Sequence, residues 1–158
     1  MKKIILLIFA ILILILFSGC RLLDFSGYTL DLILGKPKVI QVEPKNNAKE
    51  VPLDSVIKIK FNKEMDEKTL NSRSVNISYV NDELKFYVNP FLGSRFDYDQ
   101  QSKTLTITPK DGLLPNQKVE VRLSNEVKSK DGKELVRSWQ GTKLKDIKYV
   151  FRFQTAAE

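Results

Sequence analysis

Residues 56 to 61, Val56-Ile57-Lys58-Ile59-Lys60-Phe61, place Ile57, Ile59 and Phe61 on one side of an extended chain and Val56, Lys58 and Lys60 on the other. Successive side chains of a strand point to opposite faces, so this period of two predicts a half-buried strand. The pattern returns downstream, where Leu105 and Ile107 alternate with threonines and Val119, Val121 and Leu123 alternate with Glu120 and Arg122. Runs rich in Val, Ile, Phe and Tyr also occupy Val39 to Val42, Val75 to Val80, Leu84 to Val88 and Tyr149 to Gln154, separated by clusters of Pro, Gly, Asn and Asp. Strands of this kind, punctuated by turn residues, predict an all-β antiparallel sandwich of about seven strands. A single helical turn is expected inside it, at Asp66 to Leu70.

Phe61, Phe151 and Phe153 are the large apolar residues expected between the two sheets. Met65 and Leu70 are placed to cap one end. Pro44, Pro52, Pro109 and Pro115 fall at strand ends, where a missing N–H costs no ladder bond.

Upstream of this β-rich stretch the chain changes character. Lys2 and Lys3 precede an unbroken apolar run, Ile4 to Phe17, that ends in Ser18, Gly19 and Cys20. A positive start, a short apolar stretch and small residues before a cut site are the parts of a cleaved export signal. As a helix the run would measure about 21 Å, short of a hydrocarbon core roughly 30 Å thick. Phe17-Ser18-Gly19-Cys20 resembles the lipobox of bacterial lipoproteins, with Phe17 where that family usually has Leu. The resemblance implies that residues 1–19 are removed and that Cys20, the only cysteine, is diacylated and becomes the first residue of a membrane-tethered protein. Two or three acyl chains hold effectively permanently, whereas one binds marginally. Arg21 follows the cysteine, which implies the outer membrane if the source has two.

Residues 20–35 then form an apolar leader. Leu22, Leu23, Phe25, Leu30, Ile33 and Leu34 make a broad apolar face that lies on the membrane or docks on the domain, and Gly27 weakens a helix in either case. The folded domain is expected at residues 36–158.

Within that domain several landmarks come in order. They are Glu43-Pro44-Lys45-Asn46-Asn47, Val51-Pro52-Leu53-Asp54, Ile57 through Asp66, Leu105-Thr106-Ile107-Thr108-Pro109, Leu113-Leu114-Pro115-Asn116 and Phe151-Arg152-Phe153-Gln154-Thr155. The series resembles the SbsA-type bacterial Ig-like domain over roughly Pro37 to Thr155. That resemblance implies an Ig-like sandwich of the sort found in S-layer proteins, surface adhesins and exported enzymes. Ser129 and Lys133 stand where the family's loop before the last strand commonly has Asp and Asn.

Composition narrows the chemistry. The chain has no histidine, which excludes Ser-His and Cys-His pairs, imidazole bases and His-ligated zinc. With Cys20 taken by lipid, no intramolecular disulfide forms, so an exported domain must rest on its hydrophobic core. Removing residues 1–19 takes two of the 26 lysines and arginines and none of the 19 acids, leaving a charge of about +5. That excess points to a Lys-rich solvated surface, or to anionic headgroups and acidic surface polymers rather than nucleic acid.

Candidate binding residues lie in two connections, Asn89 to Phe96 with Phe91 and Arg95, and Arg137 to Ile147 with Trp139. Connecting loops are freer than strand faces to carry recognition. Trp139 suits a stacking platform for sugar, joined by Phe91 or Tyr98, or a protein-contact anchor; it can equally fold back onto the sandwich. Asp97 and Asp99 share one strand face, as a hard cation or a solvated surface would have it. Glu64, Asp66 and Glu67 lie beside Lys63 and Lys68 as ion-paired surface. No catalytic residue, metal or cofactor is expected. The sequence thus leads to a lipid-anchored, non-catalytic envelope protein that presents an Ig-like module to a protein or cell-surface polymer, with a carbohydrate-binding module as the alternative.

Overall fold

The computed structural model describes residues 35–80, 94–137 and 146–157, together with the backbone of residues 87 and 88. Cys20, the leader to residue 34, Phe91 and Trp139 lie outside these residues. The chain divides between Gly35 and Lys36, and the sandwich is built by the second unit, Lys36–Glu158.

Nine strands occur among the described residues: β1 (Val39–Glu43), β2 (Ala48–Val51), β3 (Ile57–Phe61), β4 (Val75–Val80), β5 (Tyr87–Val88), β6 (Arg95–Asp99), β7 (Thr104–Thr108), β8 (Lys118–Ser124) and β9 (Ile147–Thr155). They form an Ig-like sandwich of a four-stranded sheet ordered β1-β3-β7-β6 and a five-stranded sheet ordered β2-β9-β8-β4-β5. The alternation that predicts β3 is realised residue by residue, since Ile57, Ile59 and Phe61 are buried and Lys58 and Lys60 exposed. Leu105 and Ile107 of β7 face the same interior, opposite Ile59 and Ile57 in register. From the other sheet come Val75, Ile77 and Tyr79, then Val119, Val121 and Leu123, then Phe151 and Phe153. Phe61, Phe151 and Phe153 are fully buried, as their size and placement predict. Met65 and Leu70 join the core at the connection between β3 and β4. Between them the expected helical turn is a 3-10 turn at Glu67–Thr69, whose first N–H groups are partly satisfied by Asp66, its side chain accepting from Lys68 N at 3.1 Å.

One strand, β2, was not expected, and another, β6, starts earlier than expected. β2 reads Ala-Lys-Glu-Val, and β6 begins at Arg95, so Arg95 and Phe96 belong to a strand and not to the preceding loop. The sandwich is also not purely antiparallel: β2 runs parallel to β9, with Ala48 opposite Phe153 and Val51 opposite Thr155. Backbone bonds Asn47 N to Arg152 O (2.6 Å) and Ala156 N to Val51 O (2.9 Å) fasten the two ends of this pair. A four-residue strand with two charged side chains carries little periodic signal, and its partner lies a hundred residues away.

Candidate functional site

Of the residues singled out in the sequence, Arg95 is described. It is exposed, opens edge strand β6 opposite Thr108, and its Nε donates to Asp97 Oδ2 at 2.6 Å. Asp99, on the same face, accepts from Gln101 N at 2.8 Å and from the Ser102 hydroxyl at 2.8 Å. The Ser102 hydroxyl and the Gln101 amide hold its carboxyl below the usual range. Both acids are thus turned to local partners rather than toward a shared ion. Tyr98 points the other way: its ring packs against the core and its hydroxyl accepts the Met65 N–H, so it cannot stack a sugar on the outside. Glu64 pairs with Lys130 at 2.9 Å, as ion-paired surface. Among the described residues no three His, Cys, Asp or Glu side chains group as a metal site would require.

The loop Ser129 to Lys133 shows how this chain manages without the expected Asp and Asn. Ser129 N donates to Lys133 O (2.9 Å), Lys133 N donates to the Ser129 hydroxyl oxygen (3.2 Å), and Gly132 closes the turn at φ 79°. The Ser129 hydroxyl also donates to Asp131 Oδ1 at 2.5 Å, and Lys63 Nζ donates to Asp131 Oδ2 at 3.0 Å. Loop closure and an ion pair together hold Asp131 well below the usual carboxylate range, the Ser129 hydroxyl being the larger cause. These contacts stabilise the fold and leave little chemistry free.

A different concentration of polar groups lies on the outward face of the five-stranded sheet. In β8 the inward residues are Val119, Val121 and Leu123, so Lys118, Glu120 and Arg122 point outward. In β9 the corresponding outward residues include Lys148, Val150, Arg152 and Gln154, interleaved with inward Phe151 and Phe153. Register places Ser78, Glu120 and Arg152 in one row across β4, β8 and β9. Glu120 is only 1% exposed despite its outward orientation, and it is the only buried charged side chain among the described residues. Arg152 and Arg122 bracket it, each through Nε, on Oε2 and Oε1 respectively. The Arg122 contact is an ion pair without hydrogen-bond geometry, so Oε1 and the neighbouring Ser78 hydroxyl lack a hydrogen bond. Desolvating such charges is expensive and seldom improves stability over apolar packing.

Beside this cluster an open groove of about 510 Å³ crosses one end of β2, β9 and β8. Lys49, Lys118 and Arg152 line it together with Asn116, Gln117 and Gln154. Asn116 keeps a left-handed backbone (φ 53°) at the turn into β8, and Gln154 Nε2 donates to its side-chain oxygen at 3.5 Å. Sequence periodicity marks Glu120, Arg122 and Arg152 as the polar face of their strands. It does not reveal that they converge, because that depends on the β8–β9 register.

The family model described as the bacterial Ig-like domain matches residues 35–155. Among solved structures, the S-layer protein SbsC is 19% identical at a TM-score of 0.51, over 83% of this chain and 15% of that one. PcoC, a methionine-rich copper resistance protein from Escherichia coli, is 13% identical at a TM-score of 0.55, over 77% of this chain and 99% of its own. At these identities the likeness is one of fold, and the chain spans only about 15% of the length of the S-layer protein. No curated protein matches the chain. A match over most of the sequence and a sandwich with this core make the chain a member of the bacterial Ig-like domain family.

Proposed function

We propose that this protein is an exported lipoprotein, tethered to the membrane by acyl chains on Cys20, that presents one SbsA-type Ig-like module at the cell surface for non-catalytic contact with a protein or envelope polymer. The observation that carries this reading is the succession of Lys2, Lys3, the apolar run Ile4 to Phe17 and Ser18-Gly19-Cys20 by a sandwich beginning near Lys36. The sandwich is supported by its buried core alone and needs no disulfide, which suits a chain whose single cysteine carries lipid. S-layer proteins, among whose structures this fold recurs, are surface proteins, in keeping with display outside the cell. The copper chemistry in the name of PcoC does not transfer readily, since this chain has no histidine and its methionine within the domain, Met65, is buried.

The test is Cys20→Ala. It should abolish fatty-acid labelling and move the protein out of the membrane fraction, because the acyl chains supply most of the anchoring free energy. Labelling equal to wild type would refute the lipid anchor.

A further inference from the structure

The two outer faces of the sandwich differ. On the five-stranded sheet the outward residues Ser78, Glu120 and Val150 are buried, which leaves a partner little to touch. On the four-stranded sheet Lys58, Lys60, Asp97 and Asp99 are all exposed, and Thr104, Thr106 and Thr108 lie half-buried between them. Gln41, Glu43, Lys58, Lys60 and Thr104 line one shallow hollow there, so these side chains share the face.

Strand register orders this face into a charge pattern. Lys58, Thr106 and Asp97 form one row across β3, β7 and β6, and Lys60, Thr104 and Asp99 form the next. A basic column on β3 and an acidic column on β6 therefore flank a neutral column of threonines. The charged columns stand two strand spacings apart, about 10 Å, too far for their backbones to bring them together within one chain. Beyond them β1 sets Glu43 beside Lys58 and Gln41 beside Lys60. The charges are only partly used: Lys58 Nζ stands 3.7 Å from Glu43 Oε2, and Asp97 accepts Arg95 Nε on Oδ2 alone.

We propose that two copies of this chain dock face to face through the four-stranded sheet, about a twofold axis running along β7. Rotation about that axis carries β3 of each copy over β6 of the other and keeps the rows in step. Lys58 then meets the second copy's Asp97, Lys60 meets its Asp99, and symmetry makes four ion pairs of these two. Thr106 meets itself across the axis, which a hydroxyl allows because it both donates and accepts. Two sheets packed in this way keep their strands aligned to within about 30°, as in the sandwich itself.

The same charges disfavour the other arrangements. An axis across the strands stacks the lysines of one copy on the lysines of the other. An axis between β3 and β7 sets Glu43 over the second copy's Asp97. Like charges brought together at an interface reject such registers, so the pattern selects one. The overlap of three strands covers only about 250 Å² in plan, against roughly 800 Å² per partner in a standard interface. The contact is therefore weak and reversible, with a dissociation constant on the order of 100 μM. This goes beyond the envelope-contact reading by naming one protein partner.

Sedimentation equilibrium of the full chain in density-matched neutral detergent, with micelles in excess over protein, tests the dimer. Wild type should pass from monomer to dimer near that concentration. Lys58→Glu and Asp97→Lys should each weaken association about tenfold or more, since each turns two attractions into repulsions. Lys58→Glu also lowers the net positive charge, so a global charge effect alone would strengthen association. Mixing the two variants in equal amounts restores both pairs in a mixed dimer, and joining the substitutions in one chain restores them in a homodimer; each should return affinity to within a few-fold of wild type. Thr106→Arg, which sets two cations against each other on the axis, should abolish the dimer.

A wild type that stays monomeric to about 1 mM overturns the proposal and leaves the face to a partner of other chemistry. Association untouched by the single reversals or by Thr106→Arg overturns it as well, and so does loss that neither mixing nor joining repairs. Because the mixture uses only the two single variants, the result stands even if the joined variant fails to fold. Fatty-acid labelling at Cys20 reads anchoring independently, so failure of the dimer and failure of the lipoprotein reading give different results.

Discussion

The hydroxyl of Tyr98 accepts the backbone N–H of Met65 at 2.8 Å, tying edge strand β6 to the connection after β3. Met65 is buried, so without this acceptor its amide has no ready replacement. Tyr98→Phe keeps the ring and removes only the acceptor. It should cost about 1 to 2 kcal/mol, read as a lower urea midpoint at unchanged slope.

Phe61 sits fully buried at the end of β3, packed where β1, β3 and β7 meet the opposite sheet. Truncation removes transfer free energy and leaves a cavity that a two-sheet core cannot close. Phe61→Ala should cost roughly 3 to 5 kcal/mol by denaturant unfolding.

How much of this architecture was legible in the sequence depended on whether burial followed local period. β3, β7 and β8 were, because each alternates large apolar and polar residues, and the buried apolar positions are those the alternation names, Glu120 of β8 being buried in addition. β2 was not, because only Ala48 and Val51 turn inward and its parallel place beside β9 is set by contacts remote in sequence. β6 was partly hidden for another reason. Its inward residues, Phe96 and Tyr98, are separated by charges that also suit a loop. The groove was the least legible feature, since Lys49, Lys118 and Arg152 stand on three strands and meet only through sheet order.

Asp131 gives the stability a definite acid dependence. Its carboxyl is depressed by the Ser129 hydroxyl and by Lys63, so the charged form is favoured by folding. A depressed acid stabilises fully above its ordinary value of 3.8 and loses that contribution as pH falls toward the folded value. Asp131→Asn should therefore melt below wild type at pH 7, with the gap narrowing below about pH 4. Because the group is exposed, added salt should shrink the part due to Lys63. A gap that widens on acidification would contradict this role for the carboxylate.

Two glycines in left-handed conformations should respond differently to alanine. At Gly112, φ 75°, an added Cβ would lie 3.1 Å from Leu53 O, the acceptor of the Leu113 N–H. At Gly132, φ 79°, it would meet nothing within 4 Å. Gly132→Ala should cost about 1 kcal/mol from backbone strain alone, and Gly112→Ala more, since the neighbour is backbone and cannot swing away. Thermal melts of the two variants side by side give the comparison.

The parallel pairing of β2 with β9 bears on how the module carries a mechanical load. Tension entering from the N-terminal side and leaving through the C-terminal side would pull these two strands in opposite directions along their length. Their cross-links, from Asn47 to Arg152 at one end and from Val51 to Ala156 at the other, would then be strained together rather than peeled one after another. The strand that sequence patterning missed is thus the one that turns a sandwich into a clasp.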